Sequence, residues 1–238
     1  MKLKLGIMQP YFLPYLGYFS LIKNTDYFII FDTPQYIRRG WVNRNRILDA
    51  KGNPCYITVP VVAADRNTSI MDTEINYQEK WMEKIKGQLT SYKKRAPNYK
   101  VVLELIKDIE SKKFKYISEL NIYTLKRVCE YLGIPYKYDI FSKMNLEIDE
   151  VKAPDEWALN ITKALGYDTY INPPGGMSFF DRKKYEDSNI KLEFLKINLK
   201  PYIQRIGKFE EGLSIIDAMM FLDSKEINEM LDDYTILT

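Results

Sequence analysis

The sequence contains no histidine. Pairs of serine or cysteine with histidine, HExxH zinc motifs and histidine-ligated iron are therefore excluded. A general base in this protein must be aspartate, glutamate, lysine, tyrosine or cysteine. This limits the chemistry of any active site that the chain builds.

Cysteine is also scarce. Cys55 and Cys129 lie far apart and form no CxxC motif, which excludes zinc ribbons and thioredoxin-like redox sites. The low cysteine content favours a reducing compartment, so we expect a cytoplasmic protein with two buried, apolar thiols.

A long uninterrupted apolar segment is missing as well. The charge-free stretch 5–22 is interrupted by Gln9, Pro10 and Pro14, and no small-residue cleavage site follows it. The stretch therefore predicts neither a signal peptide nor a transmembrane helix, and we expect no membrane insertion.

The charges are nearly balanced, with 35 Lys and Arg against 32 Asp and Glu in 238 residues. A cationic field over the whole chain is therefore excluded. One local cluster stands out between the predicted helices; it is a solvated face or a patch for anions or RNA. Its members are Lys93, Lys94, Arg95, Lys100, Lys112, Lys113 and Lys115.

Hydrophobic periodicity predicts an α/β fold, with a mixed sheet, a βαβ opening unit, an antiparallel hairpin and a helical section. The predicted strands cover 2–9, 27–32, 38–48, 55–62, 136–141, 169–172 and 192–198, and the predicted helices cover 18–23, 81–90, 99–109, 117–132, 155–165 and 214–222. We expect an α/β body from 1–75 and 135–238, which contains the site, and a helical section over 76–134 packed beside it.

A tyrosine-rich and proline-rich loop follows the first predicted strand. Its candidate binding residues are Gln9, Tyr11, Tyr15 and Tyr18. Tyrosine combines a stacking surface with a hydroxyl group, and prolines stiffen the loop, so the segment suits a sugar or base ring. The alternative is a small aromatic core.

Asp32 ends the second predicted strand, and Gln35 follows within a turn. A partly desolvated carboxylate there is a candidate base or a binder of a substrate amine, unless an arginine pairs with it. Arg38 and Arg44 are candidates for holding a diphosphate, because the guanidinium fork matches phosphate oxygens.

In the predicted hairpin, Asn43 and Asn45 share one face, and Arg44 and Arg46 share the other. The two asparagines suit sugar hydroxyls or an oxyanion. Together with the arginines they indicate a nucleotide-sugar site.

Three further segments supply candidates. Asn172, Gly175 and Gly176 follow a short strand, where paired glycines expose backbone N–H groups to a ligand or simply form a turn. Tyr202 and Gln204 point to one face if that segment is a strand. Asp217 is a capping-box partner of Ser214 or, alternatively, a second catalytic carboxylate.

Several aromatic, proline and asparagine-arginine motifs occur together over most of the chain. They are Met8-Gln9-Pro10-Tyr11-Phe12, Pro14-Tyr15, Gly17-Tyr18-Phe19, Phe31-Asp32, Gln35-Tyr36, Gly40-Trp41-Val42-Asn43-Arg44-Asn45-Arg46-Ile47, Thr58-Val59-Pro60, Tyr170-Ile171-Asn172-Pro173, Gly175-Gly176, Tyr202, Gln204 and Leu213-Ser214-Ile215-Ile216-Asp217. In combination they resemble the WbqC-like family of polysaccharide-cluster proteins. The resemblance implies a role in O-antigen and related glycan clusters, where the family has been proposed to transfer glycine onto an amino sugar.

A second likeness concerns nucleotidylyltransferases with an HxGH motif. Tyr15-Leu16-Gly17-Tyr18 stands where such a motif would begin the first helix, with both histidines replaced by tyrosine. Tyrosine binds a phosphate by hydrogen bonding but adds no positive charge at neutral pH.

The sequence thus leads to one main hypothesis and two alternatives. The main hypothesis is a cytoplasmic aminoacyl- or acyltransferase that forms an amide on a nucleotide-linked amino sugar. It includes no cofactor and no metal ligand, and it leaves a metal requirement open. Asp32 is the expected base and Asp217 the second choice. The donor is an acyl carrier protein thioester, an aminoacyl-tRNA or an aminoacyl-adenylate.

The alternatives are a nucleotidylyltransferase-like enzyme and a non-catalytic module that binds RNA or a protein partner. The main hypothesis requires the tyrosine-proline loop, the hairpin and the double glycine to surround one cavity.

Overall fold

The fold is described from a computed structural model, which covers residues 3–63, 65–204 and 208–238. The strands are β1 (Lys4–Met8), β2 (Tyr27–Ile30), β3 (Arg44–Leu48), β4 (Pro54–Thr58), β5 (Tyr138–Ile140), β6 (Thr169–Asn172), β7 (Lys191–Ile197) and β8 (Tyr234–Leu237). The α-helices are α1 (Leu16–Lys23), α2 (Trp81–Leu89), α3 (Tyr99–Glu110), α4 (Ile117–Leu132), α5 (Glu156–Ala164), α6 (Arg182–Asp187), α7 (Ile215–Phe221) and α8 (Ser224–Leu231).

The central sheet has the order β5-β2-β1-β6-β7-β8, and β3 pairs with β4 in a separate hairpin. All neighbours in the central sheet are parallel except β7 and β8. The α/β class, the βαβ opening and the antiparallel hairpin are therefore confirmed. The order reverses between β1 and β6, and ligands of open α/β sheets bind outside the carboxyl ends of the strands at such a point.

Helices cover both faces of the sheet because its strands are apolar on both faces. In β2, Phe28 and Ile30 belong to one core cluster, whereas Ile29 belongs to the other. This alternation follows from the two-residue period of a strand. Gly6 of β1 permits close packing, because a Cβ atom there would lie 2.9 Å from the ring of Phe28.

The helical section shares the larger of these two cores. Leu89, Ile106 and Leu125 of α2, α3 and α4 lie in the same cluster as Ile30 of the sheet and Ile47 of the hairpin. In the described part of the chain, no helix combines the length and the apolarity needed to cross a membrane.

The observed hairpin is shorter than predicted. Residues before Arg44 turn instead of extending: Arg39 has a positive φ of 63°, and the Gly40 N–H donates to the carbonyl oxygen of Ile37 at 3.1 Å. The prediction of a strand over 38–43 was therefore wrong. The prediction also lacked α6, α8 and β8.

Candidate functional site

A cleft of about 270 Å³ opens between the loop after β1, the hairpin strand β3 and the segment before α7. Its lining residues are Tyr11, Pro14, Tyr15, Trp41, Asn45, Arg46 and Gly212. Of these, Tyr11, Tyr15 and Asn45 were predicted site residues. The structure therefore brings the tyrosine-proline loop and the hairpin to one cavity.

Asn45 holds the tyrosine-proline loop in place. Its side-chain Nδ2 donates to the carbonyl oxygens of Phe12 at 3.1 Å and Leu13 at 2.9 Å. Ser214 Oγ donates to the same Leu13 oxygen at 2.7 Å. Because Asn45 is 4% exposed and its amide already has these acceptors, the structure does not support its predicted role in binding an oxyanion.

The side chain of Asn43, like that of Asn45, bonds to the backbone. Its buried Nδ2 donates to the carbonyl oxygen of Val59 at 2.8 Å, and the Val59 N–H returns a bond to the Asn43 carbonyl at 2.8 Å. The amide extends the hairpin pairing by one residue. The predicted oxyanion role of Asn43 thus also loses its structural basis.

Asn121 of α4 joins the two walls of the cleft. Its Nδ2 donates to the carbonyl oxygens of Pro10 at 2.9 Å and Val42 at 2.7 Å. The Phe12 N–H donates to the Trp41 carbonyl oxygen at 3.2 Å. The loop after β1 and the segment that contains Trp41 are therefore fixed relative to each other by a helix of the helical section.

The tyrosines of the loop have different environments. Tyr15 borders the cleft and packs over Gly17, where a Cβ atom would lie 2.3 Å from the Tyr15 hydroxyl oxygen. Tyr18 is only 2% exposed, and its hydroxyl donates to the carbonyl oxygen of Gln9 at 2.9 Å. Tyr18 therefore packs in the core, and its position does not support the predicted role in lining a pocket.

The cleft tyrosines stay protonated over a wide pH range. Burial raises the pKa of Tyr11 and of Tyr15 above the ordinary value of tyrosine. Both hydroxyl groups are therefore neutral donors or acceptors for a ligand rather than anions.

Arg44 supports the segment that presents Trp41. Its guanidinium lies 4.2 Å from the centroid of the Tyr56 ring, and its Nε donates to the Gly40 carbonyl oxygen at 3.3 Å. A terminal nitrogen donates to the Arg39 carbonyl oxygen. These contacts position the segment just before Trp41. Arg44 therefore supports this segment and does not itself line the cleft.

Arg46 is the charged residue of the cleft lining, and it pairs with Glu210, which lines a smaller neighbouring pocket that shares Tyr15 and Gly212 with the cleft. Arg46 Nη1 lies 3.1 Å from Glu210 Oε1, and Nη2 donates to the Glu211 carbonyl oxygen at 3.0 Å. Arg46 Nε is buried without a partner among the described residues. The carboxylate of Glu210 neutralises the positive charge of Arg46. Glu210 was not a predicted site residue.

Asp217 is buried and does not line the cleft. Its side chain is 0% exposed and accepts hydrogen bonds from Tyr92 at 2.6 Å, Tyr202 at 2.5 Å and Gln204 at 3.1 Å. Burial raises the pKa of Asp217 and outweighs the lowering effect of the three donors. Because the carboxylate is buried and already accepts three hydrogen bonds, this arrangement does not support the predicted catalytic role of Asp217.

The structure contradicts the prediction that Asp217 is the capping-box partner of Ser214. Ser214 is the N-cap of α7, but the Asp217 carboxylate points to tyrosines and glutamine instead. Tyr202 and Gln204, which were predicted to bind substrate, are the partners of this carboxylate. Gln204 Nε2 also donates to the Glu210 carbonyl oxygen at 3.1 Å, which connects the buried group to the partner of Arg46.

Asp32 lies at the carboxyl edge of the sheet. It is 3% exposed and accepts hydrogen bonds from Ser142 N at 3.1 Å and Ser142 Oγ at 2.6 Å. Its described side-chain partner is therefore a serine, not an arginine. Gln35 is exposed and donates to the Arg66 carbonyl oxygen, and Arg38 is exposed near Tyr36.

The double glycine lies at the same edge of the sheet, but it does not line the cleft. Gly175 and Gly176 fall in a 3₁₀ helix over Pro174–Phe179. Asn172 accepts a hydrogen bond from the Tyr170 hydroxyl at 2.8 Å, and a Cβ atom at Gly176 would lie 2.7 Å from its Nδ2. Only two of the three expected segments therefore surround the cavity, so the requirement of the main hypothesis is met in part, and the double glycine takes no part in the cleft.

The Gly-Trp-Val-Asn-Arg-Asn-Arg segment supplies two further lining residues of the cleft. Arg46 was expected in a nucleotide-sugar site together with the asparagines, whereas Trp41 was not predicted as a site residue. Within the described ranges, the acidic and cysteine side chains form no group of three or more that could hold a metal ion.

Comparison with known proteins gives one family and one relative. The model of the WbqC-like protein family matches residues 9–229. The chain is 29% identical over 219 residues to the uncharacterized protein Rv1507c of Mycobacterium tuberculosis (strain ATCC 25618 / H37Rv), covering 91% of this chain and 92% of the relative. No solved structure matches the chain significantly. Because this family model matches most of its length, the chain belongs to the WbqC-like protein family.

Proposed function

We propose that this protein is a cytoplasmic transferase that forms an amide on a nucleotide-linked amino sugar, by glycyl or other acyl or aminoacyl transfer, in surface polysaccharide biosynthesis. The observation that supports this most is the cleft, which combines the aromatic side chains of Tyr11, Tyr15 and Trp41 with the guanidinium of Arg46, whose charge Glu210 neutralises. Aromatic side chains with a few polar groups are typical of sites that bind sugar or base rings.

The size of the cleft favours a single ring. Its volume of about 270 Å³ is below the roughly 300–1,000 Å³ of pockets that enclose drug-sized ligands. The ion pair between Arg46 and Glu210 also makes the cleft a poor site for a diphosphate. We therefore place the sugar ring in the cleft and the diphosphate outside it, beside the exposed Arg38 and Arg39 that precede Trp41.

In the proposed reaction, the neutral amine of the sugar attacks the carbonyl carbon of the donor. The new C–N bond forms as the C–S or C–O bond of a thioester or ester breaks. Glu210 is the proposed acceptor of the amine proton, which then passes to the leaving thiol or hydroxyl group. Asp32, beneath the exposed Ser142, is the alternative base.

A binding experiment tests the acceptor site. Nucleotide-linked amino sugars should raise the melting temperature of the protein, because a ligand that binds the folded state stabilises it. Trp41→Ala should remove most of this increase, whereas Trp81→Phe, a change in the core, should keep it. If no nucleotide-linked amino sugar binds, or if binding is independent of Trp41, the proposal is wrong.

A turnover experiment separates the two candidate bases. With saturating acceptor and a glycyl or acyl donor, Glu210→Gln should lower kcat by about 10²-fold or more, in the range of general base catalysis. Asp32→Asn should change kcat less. A large loss of kcat for Asp32→Asn, without such a loss for Glu210→Gln, would show that Asp32 is the base.

A nucleotidylyltransferase-like enzyme is the second candidate, and the strand order supports it. The reversal between β1 and β6 is typical of nucleotide-binding sheets. However, Tyr18 would replace the second histidine of the motif, and its buried hydroxyl already donates to Gln9. A larger rise in melting temperature with a nucleoside triphosphate and Mg²⁺ than with any nucleotide sugar would favour this candidate.

A further inference from the structure

Two segments at and beside the hairpin contain a net excess of basic residues. Residues 33–63 and 91–100 together contain nine lysines and arginines but one acidic residue, Asp49. The whole chain has nearly equal numbers of basic and acidic residues, so the remainder is acidic. An arrangement of this kind produces a local positive field on an otherwise balanced molecule.

The fold joins the two basic segments at the far end of the hairpin. Arg95 Nη1 donates to the Ala50 carbonyl oxygen at 3.3 Å, and Ser91 Oγ donates to the Leu48 carbonyl oxygen at 3.3 Å. The Leu48 N–H donates to the Tyr92 hydroxyl at 2.8 Å. The short turn that contains Lys93 and Lys94 is thereby fixed beside the hairpin.

The lysines at this end remain available to a partner. Lys51, Lys93 and Lys94 are exposed, and none of them forms an ion pair with another described residue. By contrast, Lys86 and Lys184 are paired with carboxylates. The unpaired charges therefore point to an anionic partner rather than to internal stabilisation.

An exposed aromatic residue lies on the same hairpin, beside Arg44. Tyr56 of β4 is 43% exposed, and the Arg44 guanidinium lies over its ring. Aromatic rings interleaved with arginines stack unpaired bases, and this stacking is typical of proteins that bind single-stranded or looped RNA. Binding of an acidic protein would require the positive charges but no exposed aromatic ring. The tyrosine therefore favours RNA over an acidic protein.

We propose that Arg44, Lys51, Tyr56, Lys93, Lys94 and Arg95, which we call the basic hairpin surface, bind RNA. The same hairpin supplies Asn45 and Arg46 to the cleft, and Arg46 lies within about 17 Å of Lys51 along the chain. An aminoacyl-RNA on this surface would have its reactive end near the acceptor. Only this donor role rests on the proposed function; RNA binding itself does not.

Fluorescence anisotropy with labelled deacylated tRNA, at KCl concentrations from 50 to 300 mM, tests the surface on the full chain. The double variant Lys93→Ser, Lys94→Ser should bind roughly tenfold more weakly at the lowest salt, and the slope of log affinity against log salt should fall by about 2. Tyr56→Leu should also weaken binding roughly tenfold, but with the slope unchanged, because it removes stacking and not charge.

The matched control removes two exposed lysines at the opposite end of α3. Lys112→Ser, Lys113→Ser should change tRNA affinity less than twofold. Equal losses in both double variants, or no tRNA binding at 50 mM KCl, would overturn the proposal. Binding of an acidic acyl carrier protein in place of tRNA would also overturn it. Binding of tRNA without a melting shift by nucleotide sugars would support the surface and contradict the proposed acceptor.

Discussion

Asp217 is a carboxylate enclosed by two tyrosine hydroxyls and a glutamine amide, with no cation among its described partners. Its raised pKa means that the folded protein binds the proton more tightly than the unfolded chain does. The contribution of Asp217 to stability is therefore fully present below about pH 4 and is lost as the pH rises through the folded-state pKa. At neutral pH this group costs stability that its hydrogen bonds only partly restore.

The pH dependence of Asp217→Asn tests this environment. We expect the unfolding free energy of the wild type to fall relative to that of the variant as the pH rises from 4 to 7. Urea unfolding at several pH values measures it. Asp233→Asn is a control of opposite sign, because the ammonium of Lys200 lowers the pKa of Asp233 and its contribution is lost as the pH falls. A pH-independent difference for Asp217→Asn would contradict the interpretation.

Gly17 is required by the tyrosine that borders the cleft. In most helix interiors Gly→Ala stabilises by about 1 kcal/mol. At Gly17 the new methyl group would displace the Tyr15 ring. We expect Gly17→Ala to gain no stability and to weaken acceptor binding at least fivefold, as measured by thermal unfolding and titration.

Gly87 provides the matched control for Gly17. It lies inside α2, and a Cβ atom added to it would meet only open space. Gly87→Ala should therefore stabilise the protein by about 0.5–1 kcal/mol and leave acceptor affinity unchanged. Equal behaviour of the two variants would show that the Tyr15 ring does not depend on Gly17.

At the scale of elements, the position of α4 determines the shape of the cleft. Asn121→Ala would remove both hydrogen bonds to the carbonyl oxygens of Pro10 and Val42 and leave them buried without partners. We expect a loss of about 2–4 kcal/mol in unfolding free energy together with weaker acceptor binding. Urea unfolding and ligand titration measure the two effects.

Asn228 of α8 is a suitable comparison for Asn121. It also donates to two carbonyl oxygens, those of Leu132 and Ser224, both at 2.8 Å, but it does not border the cleft. Asn228→Ala should destabilise the protein and leave ligand affinity per folded molecule unchanged. If Asn121→Ala behaves in the same way, α4 does not control the cleft.

Elements with strong periodicity could be predicted from the sequence. The helix over 117–132 and the strand over 169–172 have the predicted bounds, because their apolar spacing reflects the faces they bury. α8 was missed although Asp223 and Glu226 form a recognisable capping box. β8 was missed because a half-buried edge strand has little pattern of its own, and its pairing with β7 depends on the folded sheet.

The candidate site was predictable only in part. The aromatic composition of the loop identified Tyr11 and Tyr15, but which tyrosines face the cleft depends on how the loop packs. The pairing of Arg46 with Glu210 joins positions 164 residues apart, and one sequence holds no local signal for such a contact. In a sequence, a buried structural amide such as Asn45 looks the same as a ligand-binding amide, because only the folded structure shows its backbone acceptors.

On the scale of the whole molecule, the shared core predicts cooperative unfolding. Trp81 lies in α2 within the larger core, and Trp157 lies in α5 against Phe31 and Phe141 on the other side of the sheet. Variants that retain only one of these tryptophans should unfold at the same urea concentration, as in a two-state transition. Two separate midpoints would show that the helical section is an independent domain.

The place of β1 in the sheet has a consequence for biosynthesis. β1 pairs on one side with β2, which follows closely, but its other neighbour, β6, begins at Thr169, 165 residues after Lys4. At 5–20 residues per second, a ribosome takes about 10 to 30 s to make that second neighbour. During this interval the nascent chain exposes an unpaired strand edge, which is a known starting point for aggregation. Chaperone binding to ribosome-bound fragments is therefore expected to end once β6 has emerged.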